Sequence, residues 1–395
     1  MSPGQRLQSA IACHQAGDLA QAEALYQQVL ASEPNNFNAL HLLGIIEIHQ
    51  GRFEQAVQHI GKAMSRNPNV APPHYNLGLA MQGQGRIEAA AQAFRRAIEL
   101  QPDYVEAHNS LGNLLQGQQR LQEAEACYQR AIELRPDWVE AYTSLGAVLS
   151  KLGRQENAAD TFQQALALQP DSALACNGLG VIRRLQGRLE EAVESLQRAL
   201  ALQPEYAEAF NNLGNVRCDQ DRQEDAITAY QRALALRPNY AEANNNLGTA
   251  FKMRGRLTEA ASAYYRAIEL QPDYAEPHSN LAAIFVEQGR TQEALASYRR
   301  ALSLKPDTAR VHSNLLFALN YPADSTVETL HAAHLDYAAR HAAPLAREVI
   351  PLNNTPAPER RLRIGYVSAD FKQHSVAYFI EPVLAAHDHA QFEVF

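Results

Sequence analysis

Small and large apolar residues recur at helical spacing along most of the chain. In one such segment Ala90 is followed by Phe94 four residues later and by Ala97 after three more. Positions i, i+4 and i+7 lie on one face of an α-helix, so each segment predicts an amphipathic helix with a buried alanine-aromatic face. Before most of these segments lies a second apolar segment that contains a Leu-Gly pair, which the first unit lacks and which the ninth replaces with Leu281-Ala282. The pattern therefore predicts helices that occur in pairs.

The pattern repeats every 34 residues. A proline marks the end of each unit, at Pro34, Pro68, Pro102, Pro136, Pro170, Pro204, Pro238, Pro272 and Pro306. An alanine column keeps the same period from Ala22 to Ala294, and the Leu-Gly pair recurs from Leu43 to Gly248. Glycine inside a helix costs about 1 kcal/mol relative to alanine, so its recurrence predicts a point where two helices approach closely.

Glycine turns and acidic residues separate the predicted helices. A Gly-Arg pair joins the two helices of most units, but Gln119 and Asp221 replace the glycine in two of them. After the proline, spacings such as Asp103 to Glu106 are those of a capping box. We therefore expect proline to end one helix and the acidic side chain to cap the next.

A 34-residue helix-turn-helix unit with these residues resembles the tetratricopeptide repeat, with nine units in residues 1–308. The resemblance implies a mostly α protein, a right-handed superhelix (α-solenoid) whose first helices line the concave face. Helices packed 8–10 Å apart would make a groove about 90 Å long, enough for roughly 25 residues of extended peptide.

Composition narrows the choice of partners. The formal net charge is −8 and the basic residues are scattered, which disfavours nucleic acid. No apolar run approaches the ~18 residues that cross a bilayer, so we expect no membrane partner and a cytoplasmic protein. The four cysteines are far apart in sequence and fit reduced thiols rather than a disulfide framework.

An asparagine column in the first helices is the main candidate binding feature. The residue before the leucine of the Leu-Gly pair, or of its equivalent, is asparagine at Asn76, Asn212, Asn246, Asn280 and Asn314. Leu42, Ser110, Ser144 and Gly178 interrupt this column. An amide offers both a donor and an acceptor, so a ladder of amides can bind a peptide main chain without demanding particular side chains. The alternative is that these amides satisfy neighbouring backbone groups or face water.

Histidines give weaker candidates. His74, His108, His278 and His312 occupy one column, which also accepts Tyr142, Cys176 and Phe210. A column that accepts such different side chains is a packing position rather than a metal site. His331, His334 and His341 share a helical face without the carboxylate of an H-E-x-x-H motif, so no metal is expected there.

The period fails after Pro306. Residues 309–348 predict capping and connecting helices, with Asp324-Ser325 as N-cap of a helix that runs to about Ala343. Residues 349–360 read as a Pro/Asn linker. Residues 361–395 predict the first βαβ of an α/β lobe, with strands at 362–367 and 392–395 and a helix at 375–386. Two strands and one helix cannot bury both faces of a parallel sheet, so the lobe is expected to be incomplete.

The repeats, the segment RLRIGYVSADFKQH at 361–374 and QFEVF at 391–395 together resemble the protein O-linked N-acetylglucosamine transferases, in their bacterial and Spindly-like branch. That family implies a GT-B catalytic region, transfer from UDP-GlcNAc to Ser or Thr without a metal or cofactor, and acceptor polypeptide bound in the superhelix. The D-F-x-x-H motif implies a catalytic role for His374. Lys372-Gln373 stand where the animal enzymes carry Gly-Asn, which leaves GDP-fucose open as the donor.

A non-catalytic scaffold that binds other proteins is the alternative function. The sequence has no G-x-G-x-x-G or P-loop pattern for a sugar nucleotide, and in the resembled family that site lies mainly in a second lobe. We therefore expect residues 1–395 alone to show no transferase activity. Some family members dimerise, so a homodimer is one expected assembly.

Overall fold

The computed structural model describes residues 1–323, 325–348 and 362–364, and then 380, 382–384, 386, 388 and 391–394. The chain forms two compact units, Met1–Ser325 and Thr326–Phe395. His374 and the linker at 349–360 lie outside the described residues.

The first unit is a tetratricopeptide-type solenoid of helical hairpins. Its helices are α1 (Pro3–Gln15), α2 (Leu19–Ser32), α3 (Phe37–His49), α4 (Phe53–Arg66), α5 (Ala71–Gly83), α6 (Ile87–Leu100), α7 (Val105–Gly117), α8 (Leu121–Leu134), α9 (Val139–Lys151), α10 (Gln155–Leu168), α11 (Ala173–Leu185), α12 (Leu189–Leu202), α13 (Ala207–Asp219), α14 (Gln223–Leu236), α15 (Ala241–Met253), α16 (Leu257–Leu270), α17 (Ala275–Glu287), α18 (Thr291–Leu304) and α19 (Ala309–Ala318). Each consecutive pair from α1–α2 to α17–α18 packs as one hairpin, numbered 1 to 9 here, and α19 covers hairpin 9.

The mid-helix glycines confirm the predicted close approach within hairpins 2 to 8. A Cβ built on Gly78 would lie 2.5 Å from Phe94, and one on Gly214 would lie 2.5 Å from Tyr230. Carbon atoms in contact are normally 3.5–4.0 Å apart, so no side chain fits there. The large residue of the alanine-aromatic face therefore packs directly on the glycine of the first helix.

The turns between paired helices need a left-handed backbone. Gly85 and Gly153 have φ of 72° and 76°, and Gln119 and Asp221, which replace this glycine, keep φ of 62° and 61°. Residues with a Cβ are disfavoured in this region. The stacking of the hairpins thus imposes the turn conformation even where the sequence supplies no glycine.

The predicted capping boxes are wrong. Helix α7 has Tyr104 rather than Asp103 as its N-cap residue, with no side-chain cap, so the helix begins later than the spacing suggested. Glu106 consequently lies in the first helical turn and pairs with Arg135 of the following loop. An acidic residue there still favours the helix, through the positive end of its dipole.

Alanines and aromatic rings fill the core of the first unit. Ala90, Ala97 and Phe94 are fully buried, as are Tyr128 and Ala131 of the next hairpin. The small residues let the helices approach, and the rings fill the space between successive hairpins. Within the described residues no helix is long and apolar enough to span a membrane.

The second unit differs in detail from the prediction. Thr326, rather than Asp324-Ser325, caps α20 (Val327–Tyr337), and Thr329 completes a capping box. Ser325 instead donates to the Leu319 carbonyl at 2.7 Å. The predicted helix also ends early, since a π-helical turn at Ala338–Ala342 and a 3₁₀ segment at Ala343–Glu348 follow α20.

Two short strands lie in the predicted C-terminal segment. Strands β1 (Leu362–Ile364) and β2 (Phe392–Val394) pair in parallel, with Arg363 opposite Glu393. Residues 380 and 382–384 between them are helical. This pairing does not by itself identify a GT-B lobe. Of the predicted helix 375–386, residue 386 is a turn, and residues 375–379, 381 and 385 lie outside the described part of the chain.

Candidate peptide-binding face

The asparagine column links neighbouring first helices by hydrogen bonds. Asn212 donates its Nδ2 to Oδ1 of Asn177 at 2.9 Å, and Asn246 donates to Oδ1 of Asn211 at 3.1 Å. Asn280 continues the series at 3.0 Å, with Asn245 as acceptor. Each bond joins residues 35 positions apart, from one first helix to the preceding one. We call the side chains Asn177, Asn211, Asn212, Asn245, Asn246 and Asn280 the amide ladder.

The acceptors of the ladder are residues that the sequence analysis missed. Asn211 is fully buried and Asn245 is 7% exposed, whereas the column asparagines that donate to them are half-buried. A buried amide without partners is costly, so its occurrence in the core requires hydrogen bonds. The runs Asn211-Asn212 and Asn244–Asn246 were the available signal, since two neighbouring amides can bridge successive hairpins.

Second helices support the ladder from behind. Asn246 also donates to Oδ1 of Asn215 at 3.2 Å, and the hydroxyl of Tyr230 donates to the same oxygen at 2.8 Å. Burial raises the pKa of Tyr230 far above its usual range, so the phenol stays protonated and remains a donor. These hydrogen bonds hold the amides in fixed orientations. We call the surface formed by α11, α13, α15, α17 and α19 the first-helix face.

A cavity lies where the ladder ends. It has a volume of about 310 Å³ and is lined by Asn245, Thr249 and Asn280 together with residues of α18, α19 and the loop between them. Lys305 and Arg310 supply cationic groups in its wall, and Lys305 pairs with Glu276 at 3.0 Å. The cavity thus combines side-chain amides with charged groups.

The predicted asparagines are only partly brought together. Asn212, Asn246 and Asn280 share the ladder, whereas Asn76 lies in hairpin 3 and contacts Nε2 of His41 at 2.8 Å. Asn314 is half-buried on α19.

The histidine column packs as predicted. Nε2 of His74 lies 2.8 Å from the Pro68 carbonyl, and that of His108 lies 3.0 Å from the Pro102 carbonyl. Tyr142 makes the same contact in the next hairpin, where its hydroxyl donates to the Pro136 carbonyl at 3.2 Å. In hairpins 3 to 5 the column thus satisfies the carbonyl of the helix-ending proline. Among the described residues, no group of three or more His, Cys, Asp or Glu side chains is placed to hold a metal ion.

Family profiles match the repeat region. A tetratricopeptide-repeat profile matches residues 14–80, and a second one matches 75–137. The profile of the cilia and flagella-associated protein 70 C-terminal domain matches residues 118–315, which is half of the chain.

Among curated proteins the chain is similar to plant glycosyltransferases. It is 43% identical over 79 residues to the probable UDP-N-acetylglucosamine–peptide N-acetylglucosaminyltransferase SPINDLY of Solanum lycopersicum, and 39% identical to that of Arabidopsis thaliana. The match covers 20% of this chain and 8% of each plant protein. Most of the length of those relatives therefore lies outside the match.

Among solved structures the chain is similar to the APC/C hetero-tetramer Cut9-Hcn1. The TM-score is 0.53 at 19% identity, and the match covers 67% of this chain and 52% of that chain. At this identity the likeness shows the solenoid fold alone.

Proposed function

Because the chain belongs to the tetratricopeptide-repeat family of the cilia and flagella-associated protein 70 C-terminal domain, we propose that its first-helix face binds an extended polypeptide. The observation that carries this proposal is the amide ladder, which crosses hairpins 6 to 9 and ends at the 310 Å³ cavity.

Amides already held by a neighbour suit main-chain recognition. An asparagine side chain has two N–H donors and an oxygen with two lone pairs. The bond to the preceding helix uses one N–H of Asn212 and one of Asn280, which leaves each amide oxygen to accept from a peptide N–H. Because these side chains are fixed before binding, a peptide loses less free energy in ordering them.

The spacing of the ladder matches an extended chain. First helices of successive hairpins are expected about 8–10 Å apart, and an extended peptide advances about 3.3 Å per residue. One ladder amide would therefore meet every third peptide residue. Recognition of this kind depends on the main chain and tolerates many side chains.

A blocking substitution tests the face without breaking the ladder. Ala283 lies one helical turn after Asn280 and is half-buried, whereas Ala296 is exposed on the second helix α18. An uncharged Ser/Thr-rich peptide of about 25 residues, labelled with a fluorophore, serves as the probe in an anisotropy titration. We expect A283R to weaken binding by about tenfold, or 1.4 kcal/mol, and A296R to leave it unchanged. Equal affinity in both variants would remove the first-helix face as the binding surface.

The chemistry proposed for the bound polypeptide is O-glycosylation. We propose that the acceptor held on the first-helix face receives N-acetylglucosamine from UDP-GlcNAc at Ser or Thr, with His374 at the reacting hydroxyl. Support comes from the similarity to the SPINDLY proteins and from the 361–374 segment. A neutral imidazole beside a hydroxyl suits a base that takes its proton. The parallel pairing of β1 and β2 is compatible with the opening of an α/β lobe.

Two measurements separate transfer from a scaffold function. The first determines whether the coding sequence continues beyond Phe395 with an α/β pattern, as the transferase reading requires. The second assays the encoded protein with labelled UDP-GlcNAc and GDP-fucose on a peptide that binds the first-helix face. Label from one donor, lost in H374A, supports transfer and identifies the sugar. Peptide binding without label from either donor supports the scaffold.

A further inference from the structure

Two arginines replace apolar core residues in the middle of the solenoid. Arg183 of hairpin 6 and Arg217 of hairpin 7 occupy the position held by Leu115, Leu149, Phe251 and Phe285 in other hairpins, where these side chains are at most 6% exposed. Partly burying a guanidinium costs free energy that a leucine would not. Arg183 donates to Oγ of Ser195 at 2.6 Å and lies 3.6 Å from a carboxylate oxygen of Glu191, and Arg217 donates to Oε1 of Gln220 at 2.8 Å.

Two further arginines lack the partner that their equivalents have. Arg96, Arg130 and Arg266 pair with Glu99, Glu133 and Glu269 three residues later, at 2.9, 2.8 and 2.6 Å. At the equivalent positions Arg198 and Arg232 are followed by Ala201 and Ala235. Hairpins 6 and 7 thus lack the local carboxylate that neutralises this arginine in hairpins 3, 4 and 8. Arg198 instead donates to the Pro170 carbonyl at 2.5 Å, a contact that leaves its charge unbalanced.

These four arginines line two equivalent cavities. The first, of about 410 Å³, contains Arg183 and Arg198, and the second, of about 350 Å³, contains Arg217 and Arg232. Their floors also correspond, with Cys176 in the first cavity and Phe210 in the second. We call them the paired arginine cavities.

The charge inside the paired arginine cavities is positive in an acidic protein. The first cavity is lined by two arginines and one acid, Glu194, and its Arg183 also lies 3.6 Å from a carboxylate oxygen of Glu191. The second is lined by three arginines and Asp225, which pairs with Arg222. The whole chain carries a net charge of −8. Arg183 and Arg198 line the same cavity as Cys176, and burial raises the pKa of the Cys176 thiol against the opposing effect of both arginines.

We propose that the paired arginine cavities bind an acidic peptide segment through two carboxylates three residues apart. The spacing follows from the repeat, because packed helices are about 8–10 Å apart. A polyproline II segment has three residues per turn and a rise of 3.1 Å, so its residues i and i+3 point to one side about 9 Å apart. Arginine binds carboxylate through two parallel hydrogen bonds, which gives each cavity a defined acceptor.

The direct test uses a fluorescent Glu-Pro-Pro repeat peptide, with a Gln-Pro-Pro repeat as the neutral probe. We expect the acidic peptide alone to bind, and R198A/R232A to weaken it at least about tenfold. R96A/R130A is the matched control, since these equivalent arginines lie in ion pairs, and it should leave the affinity unchanged. An equal loss of peptide affinity in R198A/R232A and R96A/R130A would show that the peptide does not bind in the paired arginine cavities. Tighter binding of a peptide with phosphoserine in place of glutamate, or of inorganic phosphate alone, would show that the cavities recognise phosphate rather than carboxylate and would refute the proposal.

A second variant separates binding from folding. R183L/R217L restores the apolar residue of the other hairpins, so it should raise the urea midpoint of unfolding while it weakens peptide binding at least about tenfold. A variant that is more stable yet binds less well excludes damage to the fold as the cause. Unchanged affinity in this more stable variant would show that the first-helix arginines take no part, and would overturn the proposal.

Discussion

The amide ladder has a gap in hairpins 4 and 5 that a single substitution should close. Asn109 has a buried Oδ1 with no hydrogen-bond partner in the described part of the chain. Thirty-five residues later, where the ladder supplies an amide, the chain has Ser144. Asn246 donates to Asn211 at the equivalent place in hairpins 7 and 8. We expect Ser144→Asn to donate to Asn109 in the same way.

The surroundings of Ser144 already match those of Asn246. Tyr128 donates to Oδ1 of Asn113 at 2.6 Å, as Tyr230 donates to the oxygen of Asn215 beside Asn246. The new amide would therefore meet a second acceptor in Asn113. The substitution removes the hydrogen bond between Ser144 and Tyr128. The Tyr128 hydroxyl keeps its contacts with Oδ1 of Asn113 and Oε1 of Gln116.

The size of the stabilisation expected for S144N follows from the unpaired Oδ1 of Asn109. A buried polar atom without a partner costs about 1–3 kcal/mol, and a neutral hydrogen bond contributes about 0.5–1.5 kcal/mol. Fixing the longer side chain costs up to about 1 kcal/mol. We expect S144N to stabilise hairpins 4 and 5 by about 1 kcal/mol. This corresponds to about fivefold slower local hydrogen exchange at α7 and α9.

A double-mutant cycle with Asn109→Ala isolates the new bond. N109A removes the orphan, so alone it should be nearly neutral, and S144N in that background should lose its gain. S144A controls for loss of the serine hydroxyl. If S144N slowed hydrogen exchange equally with and without Asn109, or accelerated it, the reasoning from the repeat register would be refuted.

Four other predictions concern pH and glycine. Burial lowers the pKa of His41 to about 4 from 6.5 in the unfolded chain. The contribution of neutral His41 to the free energy of unfolding is therefore fully present above pH 6.5 and is lost as pH falls toward 4. The loss is about 2 kcal/mol at pH 5, measured by urea unfolding, and H41Q should lack it. G214A should destabilise by about 1–3 kcal/mol, since its Cβ would lie 2.5 Å from Tyr230; G61A, with nothing within 4 Å, should stabilise by about 0.5–1 kcal/mol in thermal unfolding. Gln119→Gly should relieve the φ of 62° and stabilise by up to about 1 kcal/mol, and a lower melting temperature would contradict this.

Periodicity predicted the hairpins because the same packing recurs in every unit. In hairpins 2 to 8 the glycine of the first helix and the large residue of the second helix are 16 positions apart, as with Gly78 and Phe94, so the repeat sequence shows this pairing seven times. The buried face and the glycine turn could therefore be predicted from residue type alone. Helix starts were less predictable, because Asp103 and Tyr104 both fit the loop and only the backbone decides between them.

The ladder was predicted only in part. The column of Asn212, Asn246 and Asn280 is visible in the sequence, but its acceptors depend on how far one hairpin rotates against the next. That register sets the separation of 35 rather than 34 residues, and it places Asn211 and Asn245 in the interior. The paired arginine cavities were missed for another reason. In the sequence alone, an arginine that departs from the repeat pattern cannot be distinguished from ordinary variation. The structure is needed to show that these arginines line cavities.

Photo-crosslinking tests the central claim, that the first-helix face holds an extended polypeptide. An uncharged Ser/Thr-rich peptide with a benzophenone side chain at its centre is irradiated with the chain, and the adducts are mapped by mass spectrometry. We expect adducts on α13, α15, α17 and α19, near Asn246 and Asn280, and their loss in A283R but not in A296R. Adducts confined to the second helices α14, α16 and α18, unaffected by A283R, would contradict the account.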